Sequence, residues 1–350
     1  MVCLFPFKRS DRIMKTYEIQ GGFGLQHLHA AERGLPSAGP GEVLIKIKAA
    51  TLNSRDIGVI EGAYNPDVQL PLIPVSDGVG EVAALGTGVS AFKLGDRAAG
   101  IFTQSWISGE PTRDNWSSTL GSPLNGMLAE YVVLPEKGLV HVPEHLSDVE
   151  AAALPCAGVT AWQAVVVEGG VKAGDTVVVQ GTGGVSLFAL QFAKLLGAVV
   201  IATSGSDEKL ERALELGADH GINYRRNPDW DQAVLELTDG RGADHIVDVG
   251  GSSTLNRSIS ALRVGGRISI VGLLSGGKVD GLELVPAILR RARLQAINVG
   301  SREHFEAMNR AIAASGLRPA IDRVFPFEQA HEALRHLAEG SYFGKIAIKF

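Results

Sequence analysis

The chain has 350 residues, 45% hydrophobic and 20% charged, which is enough apolar material for buried cores and too little charge for a disordered or polyelectrolyte chain. A net charge of -5, with Lys and Arg scattered and never in runs, argues against a nucleic-acid partner. The only cysteines, Cys3 and Cys156, rule out a disulfide framework and a zinc site built on four thiolates, and they fit a reducing, cytoplasmic setting.

The opening MVCLFPFKRSDRI places its apolar run before its basic residues, the reverse of a secretory signal. No later apolar run is long enough to span a bilayer, so a soluble protein with no membrane partner is expected. Met14 and Lys15 open the first strand-like segment, which leaves residues 1–13 as an extension of little structural role. Residues 15 to 138 read as short strands between Gly and Pro turns, among them GEVLIKIKAATLN, GVGEVAALGTGV, KLGDRAAGI and LAEYVVLP. From Val149 strands alternate with amphipathic helices, the pattern of a parallel sheet covered on both faces. Strands are predicted at 176–180, 199–203, 220–223, 244–249, 266–271 and 293–298, a set that suits a doubly wound sheet. The segment from RPAIDRVFPFEQAHEALRHLAEG to GKIAIKF returns to mixed helix and strand and is expected to close back on the first domain.

The stretch VVVQGTGGVSLFALQFAKLLGA, residues 177–198, is a buried strand, a glycine turn and a helix. Gly181 permits the tight turn and Gly183 lets the backbone approach a diphosphate. The helix that starts near Gly184 and Val185 points its amide groups at that anion. Ser186 replaces the usual third glycine, and its hydroxyl can bond back to a carbonyl one turn earlier. An acid that grips the ribose of NAD is expected about 20 residues beyond the first glycine. The chain there reads Thr203, Ser204, Gly205, Ser206, an uncharged tip with room for a 2'-phosphate, and Lys209 follows with the charge to pair with it. This favours NADP(H). A second reading stays open, in which Ser206 and Asp207 cap the next helix or Asp207 reaches the ribose and restores NAD.

With these segments in view, the chain from Met14 onward resembles the medium-chain dehydrogenase/reductase superfamily, in its zinc-independent, alcohol-dehydrogenase-like branch near the quinone oxidoreductases. PGEVLIKIKAATLNSRD, PLIPVSDGVGEV, LPCAGVTAWQAV, SDEKLERALELGADHGINY and FGKIAIKF carry the likeness together with the glycine loop. The resemblance implies an α/β protein with a doubly wound Rossmann sheet, 139–298, inserted into a GroES-like β-barrel catalytic domain, 1–138 and 299–350. It also implies a cofactor in the cleft between the two and a homodimer joined through the last Rossmann strand, RLQAINV. Where the zinc enzymes place Cys, a His-Glu pair and Cys, this chain has Asn53, Ser76 with Asp77, and Cys156, so no metal is expected. Five further residues are carried over as cofactor contacts. Thr160 is matched to the nicotinamide and Tyr224 to the adenosine phosphate. Gly250 and Leu273 end strands at the ligand edge, and Lys345 lies close to the cofactor. Core packing is the competing reading for Thr160 and Tyr224, and a solvated strand position for Lys345.

The nicotinamide supplies hydride, so without a metal the protein's polar groups must stabilise the charge that develops on the acceptor. Asn53 is the first choice, because its amide can donate to a carbonyl or enolate oxygen; a turn-forming role before Ser54 competes. Tyr64 is a candidate for the substrate pocket, and Asp56 and Asp77 for ordering the site or relaying protons. HEALRH, with His331 and His336, has the wrong spacing for a metalloprotease helix, and Pro143 separates His141 from His145. The expected activity is NADP(H)-dependent reduction of a small-molecule enone, enal or quinone. A metal-free alcohol or ketone dehydrogenase and a non-catalytic NADPH-binding protein are the alternatives.

Overall fold

The computed structural model describes residues 13–350, so Cys3 and residues 1–12 of the leading extension lie outside the described residues, while Ile13, expected to belong to that extension, already pairs with Gly34 in the first strand. The chain divides into two units: one ends its first segment at Cys156 and resumes with Gly300–Phe350, and the other is Ala157–Val299.

In the first unit Ile13–Ile19 (β1) and Leu28–Gly34 (β2) form an antiparallel ribbon. Glu42–Thr51 (β3), Ser54–Ile60 (α1), Asp77–Leu85 (β4), Arg97–Gly100 (β5), Tyr131–Pro135 (β6), Leu139–His141 (β7) and Asp148–Ala152 (α2) follow. β3 is rich in Val, Leu, Ile and Ala and is buried along most of its length, as a central strand should be. The expected break at 138/139 falls later because β7 pairs with β5 and α2 packs on β3 and β4, which ties both elements to this unit.

The second unit opens with Val159–Trp162 (α3), flanked by π-helical turns at Leu154–Gly158 and Gln163–Val167. Its sheet is built from Thr176–Gln180 (β8), Val199–Ser204 (β9), His220–Asn223 (β10), Ala243–Asp248 (β11), Leu262–Ile270 (β12) and Arg293–Ala296 (β13). Between them run Gly184–Leu195 (α4), Asp207–Glu215 (α5), Trp230–Leu237 (α6), Leu255–Ala261 (α7) and Leu284–Leu289 (α8). The sheet is six-stranded and parallel, in the order β10-β9-β8-β11-β12-β13. The order reverses between β8 and β11, which puts the loop after β8 at the topological switch point. Val178, Ile201, Ile246 and Ile268 fill the core of the sheet, each worth about 1.5–3 kcal/mol of burial.

The chain then returns to the first unit as Arg302–Ser315 (α9), Ile321–Pro326 (β14), Ala330–Glu339 (α10) and Lys345–Lys349 (β15). A seven-stranded sheet results, ordered β14-β15-β3-β4-β5-β7 with β6 also paired to β3. His331 and His336 lie on α10, where their Nε2 atoms are hydrogen-bonded with Leu28 O at 2.9 Å and Asp322 Oδ2 at 2.8 Å.

Candidate active site

Three neighbouring strands of the first unit bring the polar cluster together. β15 pairs antiparallel with β3 so that Ala347 faces Thr51, a register that carries residue 345 to the level of residue 53. β3 pairs with β4 so that Thr51 faces Asp77, which sets the residues just before β4 beside those just after β3. Asn53, Ser76, Asp77 and Lys345 therefore converge at one end of this strand triplet.

Their hydrogen bonds are specific. Lys345 is 3% exposed; its Nζ donates to Leu52 O at 2.7 Å and to Asn53 Oδ1 at 2.6 Å and lies 3.5 Å from Asp77 Oδ2. Asn53 Nδ2 donates to Ser76 Oγ at 3.4 Å, and Ser76 Oγ donates to Asp77 Oδ1 at 2.9 Å. The Cys156 backbone N–H donates to Asp77 Oδ2 at 3.3 Å. Burial, with the Asp77 carboxylate adding to it, pushes the half-buried Cys156 thiol well up, so it keeps its proton. Val75, immediately before Ser76, sits at φ 73°, an outlier for a β-branched residue of the kind found where a site constrains the backbone.

Asn53 also heads α1, where its backbone N–H donates to Asp56 Oδ2 at 2.7 Å, so the turn-forming reading and the polar-site reading hold together. Asp56 is fully buried and desolvation pushes its pKa up to about 6. Tyr64 is 52% exposed, and the Arg55 guanidinium lies between its ring and that of Phe102, at 4.7 and 4.8 Å from the two centroids. Arg55 also donates to Leu120 O at 3.1 Å. This arginine escaped the sequence reading.

The second unit holds the expected cofactor residues other than Lys345. Gly181 takes φ 72°, which only glycine adopts without strain. Gly183 is the N-cap of α4 and no side chain caps the helix, so the first-turn amide groups of Gly184 and Val185 stay open to an anion. Ser186 Oγ donates to Gln180 O at 2.6 Å, so the acceptor is the end of β8, six residues back, and not the carbonyl one helical turn earlier that was expected. These features fit a dinucleotide diphosphate. At the tip of β9, Ser204 is buried and its Oγ accepts from Ser206 N at 3.2 Å. Ser206 caps α5 by accepting from the half-buried Lys209 N–H at 3.4 Å. Asp207 is occupied: Asn223 Nδ2 donates to it at 2.6 Å and Arg226 forms an ion pair with it. A Cβ added to Gly205 would come within 2.8 Å of Arg225 Nε and 2.9 Å of the Tyr224 hydroxyl, so both side chains border the tip.

Thr160 is 5% exposed on α3, in keeping with a packed position. Gly250 N donates to Asp248 Oδ1 at 3.1 Å, and Leu273 is exposed in the loop after β12. Asp248, unremarked in the sequence reading, is fully buried and also accepts from Gly251 N, Thr254 Oγ1, Ser258 Oγ and Gln180 Nε2, so one carboxylate fixes the loop after β11. Arg225 and Arg226 form a basic pair directly after Tyr224 in INYRR, a charge signal in the sequence beside the β9 tip.

Residues 39–144 match the alcohol dehydrogenase GroES-like domain, and residues 184–314 match the zinc-binding dehydrogenase family. A zinc-type alcohol dehydrogenase-like protein of Schizosaccharomyces pombe is 43% identical over 93% of this chain and 96% of its own length. The chain belongs to the medium-chain dehydrogenase/reductase superfamily. It is an oxidoreductase of that superfamily, whose members typically use a nicotinamide cofactor. Human quinone oxidoreductase is 30% identical over 86% of each chain. Among solved structures, an NAD-dependent alcohol dehydrogenase is 38% identical with a TM-score of 0.89, covering 96% of this chain and 100% of its own.

Zinc, which the family description names, does not fit this member of the superfamily. Zinc takes thiolate, imidazole and carboxylate donors, and this cluster offers an amide, a hydroxyl, a protonated thiol and one carboxylate already paired with Lys345. A divalent ion beside that ammonium would be repelled. Among the described residues no three His, Cys, Asp or Glu side chains gather in a group able to hold a metal.

Proposed function

We propose that this chain is a zinc-independent, NADP(H)-dependent reductase of activated alkenes or quinones. The observation that carries this reading is the Asn53 amide. It is half-buried, its Oδ1 is held by Lys345, and Ser76 Oγ is the one acceptor for Nδ2 among the described residues, so a second N–H is left over. That donor suits the oxygen of an enone, enal or quinone, where negative charge collects as hydride arrives. Conjugation spreads the charge, which makes such acceptors the ones least in need of a Lewis acid.

Four features support NADP(H) over NAD(H): the uncharged β9 tip, an Asp207 already bonded, the nearby Lys209, and Arg225 beside Gly205. Against it stands the NAD-dependent alcohol dehydrogenase among the similar structures. The names of that enzyme and of the S. pombe relative also favour a second reading, oxidation of a saturated alcohol. That reaction requires a base for the hydroxyl proton.

Initial rates with NADPH and NADH over cyclohexenone, crotonaldehyde and benzoquinone, and with NADP and NAD over butanol and benzyl alcohol, separate the readings. Turnover of a conjugated acceptor with NADPH, undiminished by a chelator, is the expected result. Silence across the acceptors, or one bound zinc per chain whose removal abolishes activity, overturns it.

A further inference from the structure

Lys345 is expected from the family resemblance to meet the cofactor, yet its surroundings assign it different work. An ammonium has three donor positions and no acceptor. Three oxygens surround this one: Leu52 O at 2.7 Å, Asn53 Oδ1 at 2.6 Å and Asp77 Oδ2 at 3.5 Å. No face of a side chain that is 3% exposed is left for a ligand, so any influence of Lys345 on the reaction passes through its neighbours.

The neighbour that matters is Asn53. An asparagine amide fits its density of contacts either way round, and only the donors and acceptors beside it decide which end is oxygen. Here the decision is unambiguous. Lys345 can only donate, so Oδ1 faces Nζ. Nδ2 must then face Ser76 Oγ at 3.4 Å, which accepts because its own proton goes to Asp77 Oδ1 at 2.9 Å. The polar chain runs from ammonium to amide to hydroxyl to carboxylate and closes on the ammonium as an ion pair, with every hydrogen bond pointing in one sense. Reversing the amide would set two donors against each other at Lys345.

We infer that Lys345 is a positioning residue, which locks the Asn53 amide with Nδ2 away from it and so keeps a donor presented to the acceptor oxygen. The pull of a full charge on Oδ1 also polarises the amide and strengthens its remaining N–H as a donor. The inference rests on the reading of Asn53 as the polarising donor. It gives a physical use to a buried lysine on a short C-terminal strand. β15 carries Lys345 and Lys349 on alternate positions with Ala347, yet one lysine is buried and the other exposed, so strand periodicity alone does not account for the first.

The test is a double-substitution cycle on the full chain, using NADPH and whichever acceptor of the panel above it turns over fastest. Asn53→Ala is expected to lower kcat on the order of 100-fold, the usual cost of removing one such donor. Lys345→Met is expected to lower kcat by a comparable factor with little change in KM for NADPH. The double variant should be no slower than Asn53→Ala alone. A further tenfold loss in the double variant, or a Lys345→Met effect confined to KM for NADPH, overturns the inference in favour of direct cofactor contact. Should Lys345→Met fail to fold, K345M/D77N, which neutralises the buried carboxylate together with its partner, takes its place. If Asn53→Ala is harmless or the panel is silent, the proposed function falls, and a crystal structure of the Lys345 variant still decides the inference: an Asn53 side chain that keeps its position and its contact with Ser76 overturns it.

Discussion

Asp56 shows how a single side chain sets the energetics of the polar cluster. It lies at the third position of α1, fully buried, with Oδ2 accepting from Asn53 N and Oδ1 in no hydrogen bond, 3.8 Å from the Arg55 guanidinium. Desolvation is the largest influence and raises its pKa to about 6 from 3.8; Asp77 adds to the rise, while Arg55, the Asn53 N–H and Lys345 oppose it. Because the folded value lies above the unfolded one, the folded chain holds a proton between pH 3.8 and 6 that the unfolded chain has released. Stability from this group is therefore greatest below that window, falls as pH rises through it, and is level above it. Asp56→Asn keeps an acceptor for the Asn53 N–H and removes the charge. It should stabilise the protein at neutral pH by about 1–3 kcal/mol, since each pKa unit corresponds to roughly 1.4 kcal/mol. Urea unfolding across the acid range checks this, and a variant less stable than the parent at neutral pH would show that the paired carboxylate outweighs its desolvation.

At the scale of elements, β11 carries a group of opposite sign. His245 sits inside the parallel sheet between β8 and β12, and burial, with Arg267 contributing, lowers its pKa to about 4 from 6.5. The unfolded chain takes up a proton that the folded chain refuses, so stability is full above pH 6.5 and is lost as pH falls toward 4. His245→Leu should flatten that acid loss, measured as the pH dependence of the urea midpoint. An unchanged profile would place the acid sensitivity elsewhere. This sheet was also the part most legible in the sequence. β8 centres on the apolar run of three valines ahead of a glycine turn, and its predicted limits, 176–180, are those observed. β12 begins at Leu262 instead of 266 because its start pairs with Ala243 across a register shift that apolar pattern does not encode. The cluster around Asn53 was only half legible. The resemblance singled out Asn53, Ser76, Asp77 and Lys345, but their union depends on the pairing of β15 with β3, and Lys345 and Asn53 are 292 residues apart. Alternation in KIAIK assigns both its lysines to the same face and gives no sign that one is buried. Asp248 escaped for a similar reason, since its hydrogen bonds come from α7, β8 and the loop after β11 together.

For the molecule as a whole, the far edge of the Rossmann sheet is an exposed strand edge beside exposed apolar side chains. All four residues of β13 are exposed, and among the described strands it pairs only with β12, so one row of its backbone donors and acceptors faces outward. Free edges of this kind invite another strand. The helix before it, α8, exposes Ile288 (70%), Leu289 (72%), Leu284 and Val285, and the loop after β12 exposes Leu273 and Leu274. An apolar surface of that extent marks an interaction site. We propose that a second copy of this chain covers it, β13 against β13, in a twofold homodimer. In an isologous contact each substitution enters twice, once from each copy. The double substitution I288E/L289E thus brings four carboxylates into one interface while altering two residues that are exposed in the isolated chain. Sedimentation should give twice the chain mass for the parent protein at micromolar concentration and the mass of one chain for the variant, with the cofactor still bound. A parent protein that sediments as a single chain at that concentration removes the proposal, and a variant that stays dimeric moves the contact to another face.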